Sequence, residues 1–258
     1  MITSTSNQKV KELLQLQKKS RARNQEGVFV AEGSRMVGET PEKSLVRLYV
    51  SETYYRKHEQ ELKKYGAQPE VLTDSVFAHV SDTKSPQGIL AVVRQMSYTM
   101  EEIAGQKNPH ILVLDNLQDP GNLGTIFRTA EAAGVTGILL SRDCVDIYNP
   151  KTIRSTMGAV YRMPFLYMDD MMEGIAYLKN KNIRVYAAHL EGKNSYDKED
   201  YCCGTAFLIG NEGNGLRPEV AEKADVWVRI PMEGQAESLN AAVAAALLMF
   251  EVGRQRRG

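Results

Sequence analysis

The chain has 258 residues, of which 43% are hydrophobic and 25% charged, with 32 Lys and Arg against 32 Asp and Glu. These are ordinary values for a globular protein of one or two domains, and they exclude a disordered, fibrous or disulfide-stapled chain. The longest apolar stretch, 241–250, is too short to span a bilayer, and the start lacks a signal-peptide pattern, so a cytoplasmic protein is expected.

The N-terminal part predicts a small α/β domain. Apolar residues at helical spacing indicate a helix over 7–19, and a second, charged helix is expected over 52–64. Short apolar runs indicate strands at 28–31, 45–50, 70–72 and 88–93. Residues 95–109 lose this periodicity and contain Gly105 and Pro109. The chain therefore divides into a domain of 1–96, a linker of 97–108 and a second domain of 109–258.

The second domain alternates apolar runs with helical patterns. Strands are expected at 111–114, 137–140, 183–187, 206–209 and 226–230. Helices are expected near 124–133, 169–181 and 238–253. Continuous apolar strands separated by helices predict a mostly parallel sheet with helices on both faces.

The zero net charge hides an asymmetry along the chain. Residues 1–96 carry 15 Lys and Arg against 11 Asp and Glu, a net +4, and the remainder is −4. The positive charge is densest at the start of the chain. The first 24 residues contain one acidic residue, Glu12, and six basic ones: Lys9, Lys11, Lys18, Lys19, Arg21 and Arg23. Such a cluster indicates contact with a polyanion such as RNA, and a solvated helix face is the alternative.

Polar, glycine-rich segments follow three of the predicted parallel strands, at 115–124, 210–215 and 230–240. Ligands of open parallel sheets bind beyond the carboxyl ends of the strands, so these loops predict a site. Its candidate side chains are Glu212, Ser238, Asn240 and, in the helix after the first loop, Arg128. Structural roles are the alternative: a surface arginine, glycines that adopt positive φ, and Ser238 as the N-cap of the helix after it, which leaves Asn240 just inside that helix.

Several other site types lack their sequence pattern. Neither GxGxxG nor GxxxxGK[ST] occurs, which disfavours a nicotinamide cofactor and a nucleoside triphosphate. GxSxG is absent too, and the four histidines are too dispersed for metal-ligand spacing, so no metal is expected.

Taken together and in this order, the three loops resemble the SpoU/TrmH family of RNA ribose 2′-O-methyltransferases, within the SPOUT class. The three matching segments are DNLQDPGNLGTIFRTA (115–130), LIGNEGNGL (208–216) and IPM (230–232) with SLNAAVA (238–244). Upstream, SNQKVK (6–11), GVFVAEG (27–33) and QGILA (87–91) resemble the substrate-binding domain of ribosomal-RNA members, which is similar to ribosomal protein L30e.

The resemblance implies an α/β catalytic domain with a trefoil knot, a bound S-adenosylmethionine (AdoMet) and a homodimer formed through that domain. It also implies that RNA contacts the N-terminal domain, where Gln87 joins the six basic residues named above. It further implies that the cofactor pocket is lined by Ala188, Leu208, Ile209, Gly210, Ile230, Met232 and Leu239. Family members often have threonine at the position of Ala188.

Roles for the candidate side chains follow from the same resemblance. Asn122 and Arg128 would lie beside the target nucleotide, and Glu212 would orient Arg128. Ser238 and Asn240 would hold Arg128, substrate or cofactor. The proton acceptor stays open, because Arg128 is expected either to act as the base or to clamp a phosphate and lower the pKa of the hydroxyl electrostatically.

Ribosomal RNA, with 23S RNA first, is favoured over transfer RNA because of the appended N-terminal domain. Transfer-RNA methylation is the alternative within this enzyme class. A non-catalytic RNA-binding protein of the same fold is the alternative outside it, and the intact candidate side chains argue against it.

Overall fold

The computed structural model describes residues 1–66 and 68–258, and these fold into two compact units. The first unit comprises Met1–Met96 and Asp146–Tyr161, and the second comprises Ser97–Val145 and Arg162–Gly258. In the described part of the chain, no helix has the length and apolarity needed to cross a membrane.

The helices are α1 Gln8–Lys18, α2 Ser20–Glu26, α3 Ser34–Gly38, α4 Glu52–Leu62, α5 Asp74–Val80, α6 Met100–Ala104, α7 Pro120–Ala133, α8 Pro150–Thr156, α9 Met171–Asn180, α10 Pro218–Ala221 and α11 Ala241–Arg257. The strands are β1 Val28–Glu32, β2 Leu45–Ser51, β3 Glu70–Leu72, β4 Ile89–Arg94, β5 His110–Leu114, β6 Gly137–Ser141, β7 Phe165–Met168, β8 Arg184–Ala188, β9 Asn194–Ser195, β10 Thr205–Ile209 and β11 Val226–Arg229. Short 3-10 turns occupy Glu42–Ser44, Lys63–Tyr65, Ala159–Tyr161 and Tyr196–Lys198.

The first unit is built on a four-stranded sheet in the order β1-β4-β2-β3. Strand β4 is antiparallel to both β1 and β2, whereas β3 is parallel to β2. The apolar positions of α1 that predicted a helix, Val10, Leu13 and Leu16, are buried against this sheet. A smaller N-terminal α/β domain was predicted, and the structure confirms it.

The second unit contains a seven-stranded sheet in the order β7-β6-β5-β10-β8-β11-β9, and every pair is parallel. Helices α6, α9 and α10 bury apolar side chains in one core cluster with strands β5, β8 and β10. Helix α11 contacts both α7 and β10. The predicted parallel sheet flanked by helices is therefore confirmed.

The segment Asp146–Tyr161 clusters with the first unit. Tyr148 stacks on Phe29 with 4.8 Å between ring centroids, and Arg154 pairs with Asp82 at 2.5 Å. A boundary drawn at 97–108 does not account for this segment, because the aromatic packing that holds it joins residues distant in sequence.

Three local predictions were wrong. The expected linker contains helix α6, whose Ile103 is buried against Gly137. Strand β7 was missed because its short run is only half-buried at the sheet edge. Helix α11 begins at Ala241, since Asn240 rather than Ser238 is its N-cap and accepts hydrogen bonds from the Ala242 and Val243 amides.

Candidate active site

The carboxyl ends of β5, β10 and β11 lead into the three loops that the sequence singled out. Strand β10 pairs with β5, and β8 lies between β10 and β11. Because all these strands are parallel, their loops leave the sheet at one edge. The predicted neighbourhood is thus formed by sheet topology alone.

Three of the predicted side chains are joined by direct hydrogen bonds. The Asn240 amide donates from Nδ2 to Oδ1 of Asn122 at 2.9 Å. The Asn122 amide donates in turn to Glu212 at 3.0 Å. Each of the three loops contributes one member, so this chain of amides and a carboxylate ties the site together.

Glu212 is fixed by the first loop and not by Arg128. Its carboxylate accepts the backbone N–H groups of Gln118 at 3.2 Å and Asp119 at 3.0 Å. Burial opposes its ionisation, but these bonds and the one from Asn122 outweigh that effect and lower the pKa of Glu212. In this structure the first loop holds the oxygens of Glu212, and the expected contact with Arg128 is not formed among the described residues.

Arg128 lies about 9 Å further along the axis of α7 than Asn122. Its side chain is exposed, and within residues 1–66 and 68–258 it forms no hydrogen bond or ion pair. A guanidinium with all its donors unused is available to an external anion.

A cavity of about 370 Å³ opens beside this cluster. Six of the seven predicted cofactor residues line it, namely Ala188, Ile209, Gly210, Ile230, Met232 and Leu239. Leu208 is fully buried behind them. Ser238 also lines the cavity, with an exposed side chain. His189, Leu190 and Glu191 complete one wall and were missed, since they follow β8 without a motif of their own.

Gly210 is required by the loop's own backbone. A Cβ placed there would lie 2.1 Å from the carbonyl carbon of Gly215 and 2.2 Å from the nitrogen of Leu216. The close approach at Gly210 is thus that of the chain's own backbone. Asn211 and Gly215 close the turn by reciprocal backbone hydrogen bonds at 2.9 and 3.0 Å, and Gly215 alone of the loop's glycines has positive φ.

We expect Gly210→Ala to destabilise the protein by about 1–3 kcal/mol and to weaken ligand binding in the cavity, because backbone must move to admit the methyl group. Gly213→Ala is the matched control in the same loop, since its Cβ would meet nothing closer than 3.6 Å. Thermal unfolding and calorimetric titration with AdoMet measure the two effects. Equal behaviour of the two variants would contradict the assignment.

A buried ion pair that the sequence did not indicate anchors the same loop. Asp115, immediately after β5, is fully buried, and Arg217 donates to it from Nε at 2.9 Å and from its own backbone N–H at 3.1 Å. The Asp115 hydrogen bond raises the pKa of Arg217. A loop aspartate and a distant arginine carry no spacing signal, so only the fold shows the pair.

The predicted RNA-binding residues all lie in the first unit but differ in exposure. Lys11, Lys18, Lys19 and Arg21 are exposed. Lys9 is half-buried and pairs with Glu70. Arg23 is only 3% exposed; it pairs with Asp146 at 2.5 Å and donates to the Leu16 carbonyl at 2.7 Å. The structure thus gives Arg23 an internal role, because its charge is needed to hold Asp146. Gln87 accepts the Ser34 backbone N–H at 2.7 Å.

Comparison with known proteins gives matches over nearly the whole chain. Residues 109–250 match the model of the SpoU rRNA Methylase family, and residues 7–91 match the MRM3-like substrate binding domain. The chain is 34% identical over 254 residues to the 23S rRNA (guanosine(2553)-2′-O)-methyltransferase RlmP of Bacillus subtilis, covering 97% of this chain and 98% of the relative.

Solved structures give the same picture. An AdoMet-bound rRNA methyltransferase from Sinorhizobium meliloti superimposes with a TM-score of 0.87 at 30% identity, covering 98% of this chain and 97% of that one. The SpoU methyltransferase AviRb from Streptomyces viridochromogenes, in complex with AdoMet, gives a TM-score of 0.86 at 25% identity, covering 97% and 98%.

Proposed function

Because the chain belongs to the SpoU rRNA methylase family, we propose that it transfers a methyl group from AdoMet to a ribose 2′-oxygen of ribosomal RNA, with 23S RNA as the favoured substrate. The observation that carries this proposal is the Asn240–Asn122–Glu212 cluster beside the cavity, with Arg128 on the same helix as Asn122 and free to bind an anion. The trefoil knot stays a prediction from the family resemblance, and a cytoplasmic location stays a prediction from the composition of the chain.

The cavity fits AdoMet in size and chemistry. Its volume of about 370 Å³ is within the usual range for a small-molecule site. Ile209, Ile230 and Leu239 give apolar walls for an adenine ring, and their main-chain groups would bind its polar edge. Ser238 would face the polar end of the cofactor. When bound, AdoMet supplies a methyl group already activated by a sulfonium.

The chain's own residues must then place the ribose hydroxyl and help it lose a proton. Asn122 would hold the nucleotide, because Glu212 and Asn240 fix both ends of its amide. Arg128 would clamp an adjacent phosphate and stabilise negative charge as it develops on the 2′-oxygen. An arginine is effectively always protonated, so this electrostatic role fits its chemistry better than that of a base.

The direct test is to map 2′-O-methylation in total RNA from cells with and without the gene. We expect one ribosomal site to be lost and to return with the wild-type gene. Loss of a transfer-RNA site instead would show that the substrate is transfer RNA, the alternative within this enzyme class. If no site changes and the purified protein binds RNA but not AdoMet in a calorimeter, the non-catalytic alternative holds.

RNA docking is expected to depend on the exposed cations of α1 and of the start of α2. Replacing Lys11, Lys18, Lys19 and Arg21 by glutamine should weaken RNA binding and lower the slope of log affinity against log salt by about 0.7–0.9 for each phosphate that the protein no longer neutralises. Arginine at the lysine positions is the charge-retaining control. An unchanged slope in the glutamine variant would assign RNA docking to another surface.

Dimerisation is proposed through α11, which leaves an apolar stripe uncovered. Val243, Leu247 and Phe250 are 49%, 38% and 47% exposed, although they recur at the spacing of one helix face. Such a stripe is typical of an interface.

We expect light scattering to show a dimer for the wild type and a monomer for Leu247→Asp, because a buried unpaired carboxylate is costly. Leu247→Met is the apolar control and should stay dimeric. A monomeric wild type across micromolar concentrations would contradict the proposal.

A further inference from the structure

The first unit contains an open depression of about 700 Å³, and among its lining residues Gln87 is the one already assigned to RNA contact. The start of α4, the start of α5 and the turn before β4 enclose it. Its chemically useful side chains are Tyr54, Lys57, His58, Asp74 and Gln87.

An aromatic pair forms one side of the depression. The rings of Tyr54 and His58 stack with 4.3 Å between centroids and 29° between planes. Helix α4 departs from helical geometry at His58, where φ is −125° and ψ is 18°. Both rings are half-buried and line the depression, so part of their aromatic surface faces it.

A second wall, which lies directly against Tyr54, is a turn held in place by specific contacts. Gly88 has φ of +88°, and a Cβ there would lie 2.9 Å from both the Ser51 hydroxyl and the Tyr54 Cβ. Gln87 uses its amide oxygen to accept the Ser34 N–H. Within the described residues its Nε2 has no partner, so this amide can donate to a ligand. Specific contacts therefore fix the shape of the depression, which is not a loosely packed gap between loops.

Asp74 supplies a fixed acceptor beside the rings. Its carboxylate accepts the backbone N–H of Thr53 at 3.1 Å and the Thr53 hydroxyl at 2.6 Å. These bonds keep the pKa of Asp74 below its usual value, led by the one from the hydroxyl. Each oxygen keeps a lone pair for a second donor. Lys57 is exposed at the rim, where it can attract a phosphate.

We propose that this depression binds one unpaired RNA base that carries an exocyclic amine, stacked on Tyr54 with its amine toward Asp74. The proposal rests on RNA being the substrate of the protein, as proposed above. Aromatic stacking with hydrogen bonds to the base edge is the usual means of recognising unpaired bases. Adenine, cytosine and guanine offer an exocyclic amine to such a carboxylate, whereas uracil offers only its ring N3–H.

The experiment measures binding of fluorescein-labelled oligouridylates to the full chain by anisotropy. One probe carries a single central adenosine, one a central cytidine, and one only uridine. We expect the first two to bind more tightly, and pairing the adenosine in a duplex to remove the gain. Tyr54→Ala should abolish that gain, a loss of about 5- to 100-fold if stacking contributes the usual free energy per base. Tyr54→Phe should keep it.

Tyr55→Ala is the matched control, because Tyr55 lies on the same helix and its hydroxyl bonds Glu59 instead. Ala78→Trp is the second variant; Ala78 is exposed and lines the depression, so tryptophan fills it without removing core atoms. The proposal is overturned if the Tyr54→Ala and Ala78→Trp variants bind the adenosine probe with wild-type affinity. A cooperative thermal-unfolding transition must show that each variant is folded. Equal binding of the uridine-only probe overturns the role of Asp74.

A competition with free adenosine monophosphate shows whether the depression takes its base from RNA or from a free nucleotide. Millimolar nucleotide that saturates the depression and displaces no oligonucleotide would assign it to a metabolite and overturn the RNA assignment. If the wild type binds none of these RNAs nor a ribosomal RNA transcript, it is the proposed function that fails. Loss of the adenosine effect alone, with transcript binding retained, rejects only the base pocket.

Discussion

Arg128→Ala is expected to lower the rate of RNA methylation by at least about 10²-fold while AdoMet affinity and thermal stability stay at wild-type values. The side chain is exposed and has no partner within the described chain, so its removal leaves the packing of the fold intact. Under the proposed mechanism, the substitution removes the cation that stabilises negative charge developing on the reacting oxygen. The decrease should therefore fall on kcat more than on the KM for RNA.

Two further variants make this prediction specific. Arg128→Lys keeps the charge but loses the planar fork of donors, and an intermediate rate is expected if the fork clamps a phosphate. Thr125→Ala, an exposed change one turn earlier on α7, is the matched control and should remain active. Turnover near wild type in Arg128→Ala would reject the assignment, provided that methylation of the natural site is measured.

The sequence was most informative where chemistry depends on strand order. Continuous apolar runs predicted strands β5, β8, β10 and β11, and parallel pairing then required their carboxyl ends to share an edge. Asn122, Glu212 and Asn240 could therefore be placed in one neighbourhood without coordinates. Six of the residues that line the cavity end or follow the same strands, and the family resemblance had already given them to the cofactor.

Partner choice inside the site was not predictable in the same way. Glu212 was expected to bond Arg128, yet it bonds Asn122 and two backbone amides of the first loop. Capping of α11 was the structural alternative for Ser238, yet Asn240 caps that helix two residues later. These choices depend on loop conformation, and loop conformation depends on contacts far apart in sequence. The approach of Gly210 to Gly215 and the pairing of Asp115 with Arg217 are two such contacts.

Charge was informative about the first unit but not about individual residues. The basic start of the chain predicted a surface for a polyanion, and Lys11, Lys18, Lys19 and Arg21 are exposed there. Arg23 belongs to the same run of sequence but is buried with Asp146. The burial of Arg23 could not be predicted from the sequence, because its partner Asp146 lies 123 residues later in the chain.

The Asp115–Arg217 pair allows the second large prediction. Arg217→Leu leaves the fully buried carboxylate of Asp115 without its guanidinium, because among the described residues only the backbone N–H of residue 217 still donates to it. A buried charge that loses its partner costs several kcal/mol, and the partial exposure of Arg217 reduces that figure, so we expect a decrease of about 2–4 kcal/mol in the free energy of unfolding. The loop that lines the cavity ends at this arginine, so AdoMet affinity should fall as well.

Arg142 provides the comparison for that variant. It pairs with Asp169 at 2.5 Å, but Asp169 is 85% exposed, and a solvated pair of this kind contributes little to stability. Arg142→Leu should thus leave stability and cofactor affinity nearly unchanged. Adding Asp115→Asn to Arg217→Leu should recover part of the stability, because the uncompensated charge is then removed while one acceptor for the residue 217 amide remains. If the double variant is no more stable than Arg217→Leu alone in denaturant unfolding, the penalty does not come from the buried charge, and the loop would owe its position to the Gly210–Gly215 contact instead.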